Sequence, residues 1–269
     1  MYVTYSLDDS GTGHVFKRNR LILKEKSQFQ SIEIAELDIL GKVLVLDNII
    51  QLSSLDCDRY HEAFAHIPVS NKERCERFLI LGGGDGILAK ELLKYKDAIV
   101  DMVDIDDRVC QLSKIYLSDL NDNSFENQRL NLQNRCALDF CNDAALKKVK
   151  YDVIFADITD PHPNSPSKSL LSDQAILLYK QLLKDDGIIV TQTDNVQIAP
   201  RHASEVKKTF GRHFSMVGDY GIVALTLSSV FSFVYASNSI IIQQRPLQVK
   251  TNWLNKDRFN FCLNILKTH

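Results

Sequence analysis

The 269-residue chain has no C-x-x-C pair among its six cysteines, Cys57, Cys75, Cys110, Cys136, Cys141 and Cys262. Their scatter offers neither a zinc-ligand spacing nor a disulfide framework and suits reduced thiols in a cytosol. Charge of neither sign dominates: 32 Lys and Arg against 34 Asp and Glu leave a formal charge of −2. So balanced a chain carries no general attraction for nucleic acid or for an anionic membrane, and neither is expected as a partner. The first residues, "MYVTYSLDDSGTGHVF", lack a basic segment followed by an apolar core. No secretory signal is expected there, and the expected location is cytoplasmic. No internal repeat, low-complexity tract or flexible linker stands out. Residues 221–244, "GIVALTLSSVFSFVYASNSIIIQQ", lack charge altogether. Such a run is long enough to span a bilayer. Thr226, the serines and the many β-branched residues predict instead two buried strands around a serine-containing turn. His61 and His66 are five residues apart rather than four, which turns the second about 140° away from the first. No metal site is expected from them.

Hydrophobic residues make up 45% of the chain, so a sizeable core is available. Residues ~18–55 show no helical period; "RLILKEKS", "FQSIEIAELD", "GKVLVLDN" and "IIQLSS" predict a small antiparallel sheet. A helix follows from about Asp56 to Ile67, with Asp58 as its cap. Strands then alternate with helices: "RFLILG", "AIVDMVDID", "RLNLQN", "YDVIFAD" and "GIIVTQT" are separated by helical runs. That order predicts an α/β fold with a mostly parallel sheet, helices on both faces and an antiparallel edge. The expected division is a β domain over 1–56 and an α/β domain over 57–269.

The loop "LILGGGDG" (79–86) joins the first of these strands to its helix. Gly82 and Gly84 permit a tight turn and close approach of a ligand to the backbone. About twenty residues on, Asp104 ends the next strand, where a ribose diol would be held, while Asp106 reads as a cap of the following helix. A dinucleotide is a poor fit. Pyrophosphate sites use bare N–H groups at a helix N-terminus, and Asp85 places a carboxylate in that mouth. The expected ligand is a nucleoside with a cationic group, S-adenosylmethionine or its decarboxylated form. The decarboxylated form fits better, because its chain ends in an amine with no carboxylate to oppose Asp85.

In "YDVIFADITDPHP" (151–163) an apolar strand delivers Asp157, and Asp160 follows three residues later. Turn chemistry before Pro161 accounts for Asp160 alone; it does not account for Asp157. With Asp85 and Asp104 these carboxylates surround one crevice, and such a site stays ionised only if it receives cations. A polyamine is the natural guest, and a carboxylate within reach can align one nitrogen and accept its proton.

Four blocks in order, "EKSQFQSIEI…GKVLVLDNIIQL" (25–52), "DRYHEAFAHIPV" (58–69), "LILGGGDGILAKELLKY…VDIDDRV" (79–109) and "YDVIFADITDP…LLKDDGIIVTQ" (151–192), resemble the polyamine aminopropyltransferases, the spermidine and spermine synthases. The resemblance implies a Rossmann-like, methyltransferase-type domain behind the N-terminal β domain, and a homodimer or homotetramer. It implies transfer of an aminopropyl group from decarboxylated S-adenosylmethionine, as co-substrate and with no prosthetic group, to an amine acceptor such as putrescine or spermidine. The co-product would be 5′-methylthioadenosine. By the same resemblance Gln30, His61, Asp85 and Asp104 are donor ligands, Tyr60 and Asp160 acceptor ligands, and Asp157 the catalytic carboxylate. The family's adenine-binding Asp-Gly or Asp-Ala pair is Cys136-Ala137 here, so that contact is lost or supplied by another group such as Asp139. The family's Pro-Thr-Tyr-Pro-Ser-Gly-like segment reads "LTLSSVFSF" (225–233), without the tyrosine, and the loop after Asp160 is about two residues longer. A methyltransferase on the same fold and a non-catalytic binding relative are the rival readings.

Overall fold

The computed structural model describes residues 1–6, 13–158, 166–195, 200–226 and 229–268. Its strands are β1 (Tyr2–Ser6), β2 (Gly13–Lys26), β3 (Ser31–Leu37), β4 (Gly41–Leu46), β5 (Ile49–Ser53), β6 (Arg77–Gly82), β7 (Ile99–Asp104), β8 (Leu130–Asn134), β9 (Tyr151–Asp157), β10 (Leu183–Asn195), β11 (Met216–Ala224) and β12 (Ser229–Ser237). Its α-helices are α1 (Cys57–Val69), α2 (Ile87–Leu92), α3 (Asp107–Tyr116), α4 (Ser118–Asn121), α5 (Ala137–Leu146), α6 (Asp173–Leu182), α7 (Pro200–His213) and α8 (Lys256–Asn264).

The N-terminal strands go further than the expected antiparallel sheet. β1, which the pattern did not announce, pairs antiparallel with β2 and parallel with β5 at Ser6↔Ile49, and the ring β1-β2-β3-β4-β5 closes into a barrel. Closure removes the exposed edges that an open sheet of this size would carry. Ile32, Ile34, Leu44, Leu46 and Leu52 of the barrel pack against Ile87, Val109, Leu112 and Leu117 of the α/β part. The barrel is thereby seated on the first helices after the glycine loop.

The remaining described strands form one sheet in the order β11-β12-β10-β9-β6-β7-β8. β10, β9, β6, β7 and β8 are parallel, and β12 is antiparallel to both β10 and β11. The uncharged stretch thus becomes the end of β11 and all of β12, with residues 227–228 outside the described ones. No described helix is long and apolar enough to cross a membrane. Period-two alternation places Phe78, Ile80, Phe155 and Phe233 on one face, with α1 and α2. Leu79, Leu81 and Ile154 face the other way, with α5, α6 and α7. Burial of each such side chain stabilises the fold by ~1.5–3 kcal/mol.

At α1 one expectation is corrected. The N-cap is Asp56, not Asp58, and its side chain makes no cap bond. Asp58 sits inside the first turn and binds Lys90 at 3.1 Å and the Asn252 amide at 3.0 Å. A carboxylate in a first helical turn is favoured whether or not it caps, so the pattern alone did not discriminate.

Candidate active site

In a parallel sheet the carboxyl ends of the strands share one edge, and the loops leaving them line a common crevice. β6 ends at Gly82, β7 at Asp104 and β9 at Asp157, with Gly82 and Asp157 opposite one another in register. Gly82 has φ +88°, and a side chain there would meet the Asp157 carbonyl at 2.1 Å. The Gly83 N–H donates to that carbonyl at 3.0 Å. A Cβ on Gly84 would lie 2.7 Å from Asp104 Oδ2, so glycine is what lets this loop cross the acid.

The structure brings Asp85, Asp104 and Asp157 together. Asp85 Oδ1 accepts the Ile87 N–H at 2.7 Å, and Asn121 holds its backbone carbonyl at 3.0 Å. Its other oxygen lies 3.9 Å from His61 Nε2. His61 Nδ1 is 2.8 Å from the Cys57 carbonyl. A carbonyl only accepts, so Nδ1 is the donor there and Nε2 is turned toward Asp85. Burial raises the Asp85 pKa, while His61, the Ile87 N–H and Lys90 pull it back. The Asp85 side chain retains 14% exposure, so the crevice is open to solvent although the acid stands deep among protein atoms.

Asp104 accepts the Asp106 N–H at 2.8 Å and also the Gly84 N–H. Burial pushes its pKa to about 6, with Asp106 and Asp85 adding repulsion against those two backbone bonds. Asp157 is driven well above its ordinary value, by burial first and then by Asp85 and Asp104, against a hydrogen bond from the Tyr60 hydroxyl. The Tyr60 ring lies 5.2 Å from Phe233 and 6.0 Å from Phe231. Asp85 thus raises both Asp104 and Asp157, and Asp104 raises Asp157, so an incoming cation favours the ionised form of the cluster.

A raised carboxyl pKa has a definite sign for stability. The folded state binds the Asp104 proton more tightly than the unfolded chain does. Its contribution is therefore complete below the unfolded value near 3.8 and is lost as pH rises through about 6. Asp104→Asn mimics the protonated form. Its melting temperature relative to wild type should climb between pH 4 and pH 7 in parallel scans of the ligand-free protein; a flat difference would mean that Asp104 is ionised throughout.

The other candidates divide. The Gln30 amide donates to Asp106 at 2.9 Å, beside Ser27 at 2.7 Å, so the barrel reaches the Asp104 corner through Asp106. Asp106 also caps α3 by accepting the Arg108 N–H at 3.1 Å, as the sequence implied. Cys136 is the N-cap of α5 without a side-chain bond, and Ala137 is buried behind it. Both lie just past β8, the strand beside Asp104. Asp139 stands exposed in the first turn of α5. Asp160 lies outside the described residues. His66 is not at the site; it is buried against Glu91 at 2.8 Å and Tyr95 at 3.0 Å.

Sequence reasoning missed the residues that hold the Asp157 turn. The Thr191 hydroxyl donates to the Ala156 carbonyl at 3.1 Å, and the Gln192 amide to the Ile158 carbonyl at 2.8 Å. The polar "TQT" that ends the apolar run of β10 was the available signal.

Comparison with known proteins follows the same lines. Residues 57–245 match the spermine/spermidine synthase domain, and residues 2–54 match the spermidine synthase tetramerisation domain. A polyamine aminopropyltransferase of Pyrobaculum aerophilum is 33% identical over 229 residues, 84% of this chain and 78% of that protein. One of Prochlorococcus marinus (strain NATL1A) is 36% identical over 220 residues, 81% of this chain and 75% of that protein. The fold is shared with a spermidine synthase solved in complex with the transition-state analogue AdoDATO, at 23% identity and a TM-score of 0.90, covering 100% of this chain and 94% of that one. It is shared likewise with the spermidine synthase of Thermotoga maritima, at 23% identity and a TM-score of 0.87, covering 100% and 93%. With both parts of the chain matched, and with relatives above 30% identity along most of its length, this protein belongs to the spermine/spermidine synthase family and is a polyamine aminopropyltransferase.

Proposed function

We propose that the crevice between β6, β7 and β9 binds decarboxylated S-adenosylmethionine and an amine, and that Asp157 is the catalytic carboxylate. The observation that carries this reading is the convergence of Asp85, Asp104 and Asp157, each with a raised pKa, with Tyr60 bonded to the last. Asp104 takes the ribose hydroxyls, with Gly82 and Gly84 leaving room for the nucleoside. Asp85 and His61 take the end of the aminopropyl chain, and Gln30, bonded to Asp106, closes the Asp104 corner from the barrel. Cys136 and Ala137 border the adenine. Tyr60, together with Asp160, receives the amine.

The chemistry is a displacement. An unprotonated nitrogen attacks the chain carbon next to the sulfonium. A C–N bond forms, the C–S bond breaks, and its electron pair neutralises the sulfur to give 5′-methylthioadenosine. The new ammonium gives up a proton, which Asp157 accepts and passes to solvent. Both ionised carboxylates and held positions count, since alignment of the two reactants contributes as much as the proton transfer. The barrel over 1–56 supports assembly as a homotetramer, and 57–269 carries the chemistry. The protein acts in the cytoplasm on small molecules, without a nucleic-acid or membrane partner.

The test is a mass-spectrometric screen of amines with the decarboxylated donor, in which a product heavier by one aminopropyl unit identifies the acceptor. The family's acceptor-side tyrosine is absent from 225–233, where the described residues include exposed Leu225 and buried Phe231. Putrescine should therefore not be the clearly preferred acceptor: kcat/KM for the best longer or modified amine should at least equal its value. A tenfold advantage for putrescine, about 1.4 kcal/mol in transition-state binding, would overturn that expectation.

A further inference from the structure

Helix α1 carries Tyr60 and His61 toward the site and a second set of polar groups, Asp58, Arg59 and Glu62, on an adjoining face. At 3.6 residues per turn, residues 58, 59 and 62 fall within about 100° of one another, residue 60 lies 100° or more from each of them, and residue 61 flanks residue 58 at about 60°. Asp58, Arg59 and Glu62 all reach one short piece of the C-terminal segment. Glu62, fully buried, accepts the backbone N–H of Asn252 at 2.6 Å, of Trp253 at 2.8 Å and of Leu254 at 2.6 Å. Asp58 accepts the Asn252 amide at 3.0 Å. The Arg59 guanidinium lies 5.4 Å from the Trp253 ring, and Arg258 lies 5.3 Å from the same ring. The segment reaches this point along the helix: Gln243 exchanges two bonds with Asn71, and the Gln248 amide donates to the Lys72 carbonyl at 2.6 Å. It runs as a strap from the end of α1 back to its first turn.

Three consecutive N–H groups on one buried carboxylate make a strong, directional anchor, and an unpaired partner on either side would be costly. The α1 core face is already packed by Phe64 and its neighbours. What the strap adds is a set of directional bonds to the helix's first two turns. Resting on the placement of Tyr60 and His61 in the site, we infer that Glu62 is a positioning residue. Through its hold on residues 252–254 it aims the Tyr60 hydroxyl at Asp157 and His61 at Asp85, so a segment about ninety residues beyond the catalytic strand sets the rate at the amine side.

The experiment compares Glu62→Gln and Trp253→Leu with wild type. The first keeps the shape of the side chain but turns an amide toward the N–H donors. The second leaves Glu62 in place and loosens the strap, and it serves if the first does not fold. The expected result is a fall in kcat/KM for the amine of roughly 10- to 100-fold, the scale of a small misplacement of reacting groups. Affinity for 5′-methylthioadenosine, measured by titration calorimetry, should stay within about twofold, since Asp104 and the glycine loop are on other elements. The acid limb of the kcat profile should also move to higher pH, because the Tyr60 bond that favours ionised Asp157 is loosened. A lower melting temperature with unchanged kcat/KM and pH profile, or an equal loss of nucleoside affinity, would overturn the inference. A wild-type enzyme that transfers no aminopropyl group is a separate result, which would remove the reading beneath it and the inference with it.

Discussion

Replacing Asp157 with asparagine should lower turnover by about 10²- to 10⁴-fold, the usual range for losing a positioned general base. The amide is nearly the same size and can still accept the Tyr60 hydroxyl, so the fold and the nucleoside site should survive. Ligand-free stability should not drop at neutral pH, because the change removes one of three mutually repelling acids from a buried place. Activity falling while stability holds is the signature of a group kept for chemistry. Steady-state kinetics with saturating donor, alongside thermal scans, check both halves. A variant within a few-fold of wild type in kcat would assign the base elsewhere. The wild-type pH profile follows from the same cluster. Asp157 and Asp104 have raised pKa values, so activity should rise from the acid side as they ionise, with the Asp104 step near pH 6. Asp157→Asn should lose the Asp157 part of that limb and keep the rest.

Asp85→Ala should weaken the decarboxylated donor far more than 5′-methylthioadenosine. The product nucleoside lacks the aminopropyl ammonium, which is the group Asp85 is placed to meet beside His61. A charge-assisted bond of this kind contributes on the order of 1.5–3 kcal/mol, so the donor's Kd should rise roughly 10- to 100-fold while that of methylthioadenosine changes little. Isothermal titration of the two nucleosides decides it, and equal losses for both would place the amine away from Asp85. Binding of the donor to wild type should also release protons, visible as a dependence of the measured heat on the buffer's ionisation enthalpy. Burial raises the pKa values of these acids, and an incoming cation stabilises their charged forms.

How far the site could be read in advance depended on distance along the chain. Gly82, Gly84, Asp85 and Asp104 belong to a strand-loop-helix-strand unit, and each of those residues follows from a local rule about turns or strand ends. Asp157 was legible because an acid directly out of an apolar strand has no ordinary reason to be there. Glu62 was not legible. Its three partners lie about 190 residues away, and a glutamate inside a helix looks like any solvated one until the fold buries it.

By itself the sequence determined the α/β alternation, the parallel sheet with its antiparallel edge, and the residues at the ends of β6, β7 and β9. Those features rest on period and on neighbours within a few positions, where backbone geometry leaves few choices. Tertiary structure alone decided that the N-terminal strands close into a barrel through Ser6 and Ile49, and that Gln30 meets Asp106. It alone decided that Thr191 and Gln192 brace the Asp157 turn, and that α1 is strapped by residues 252–254. The raised pKa values of the three acids belong there too, since desolvation and repulsion depend on distances that no spacing along the chain encodes.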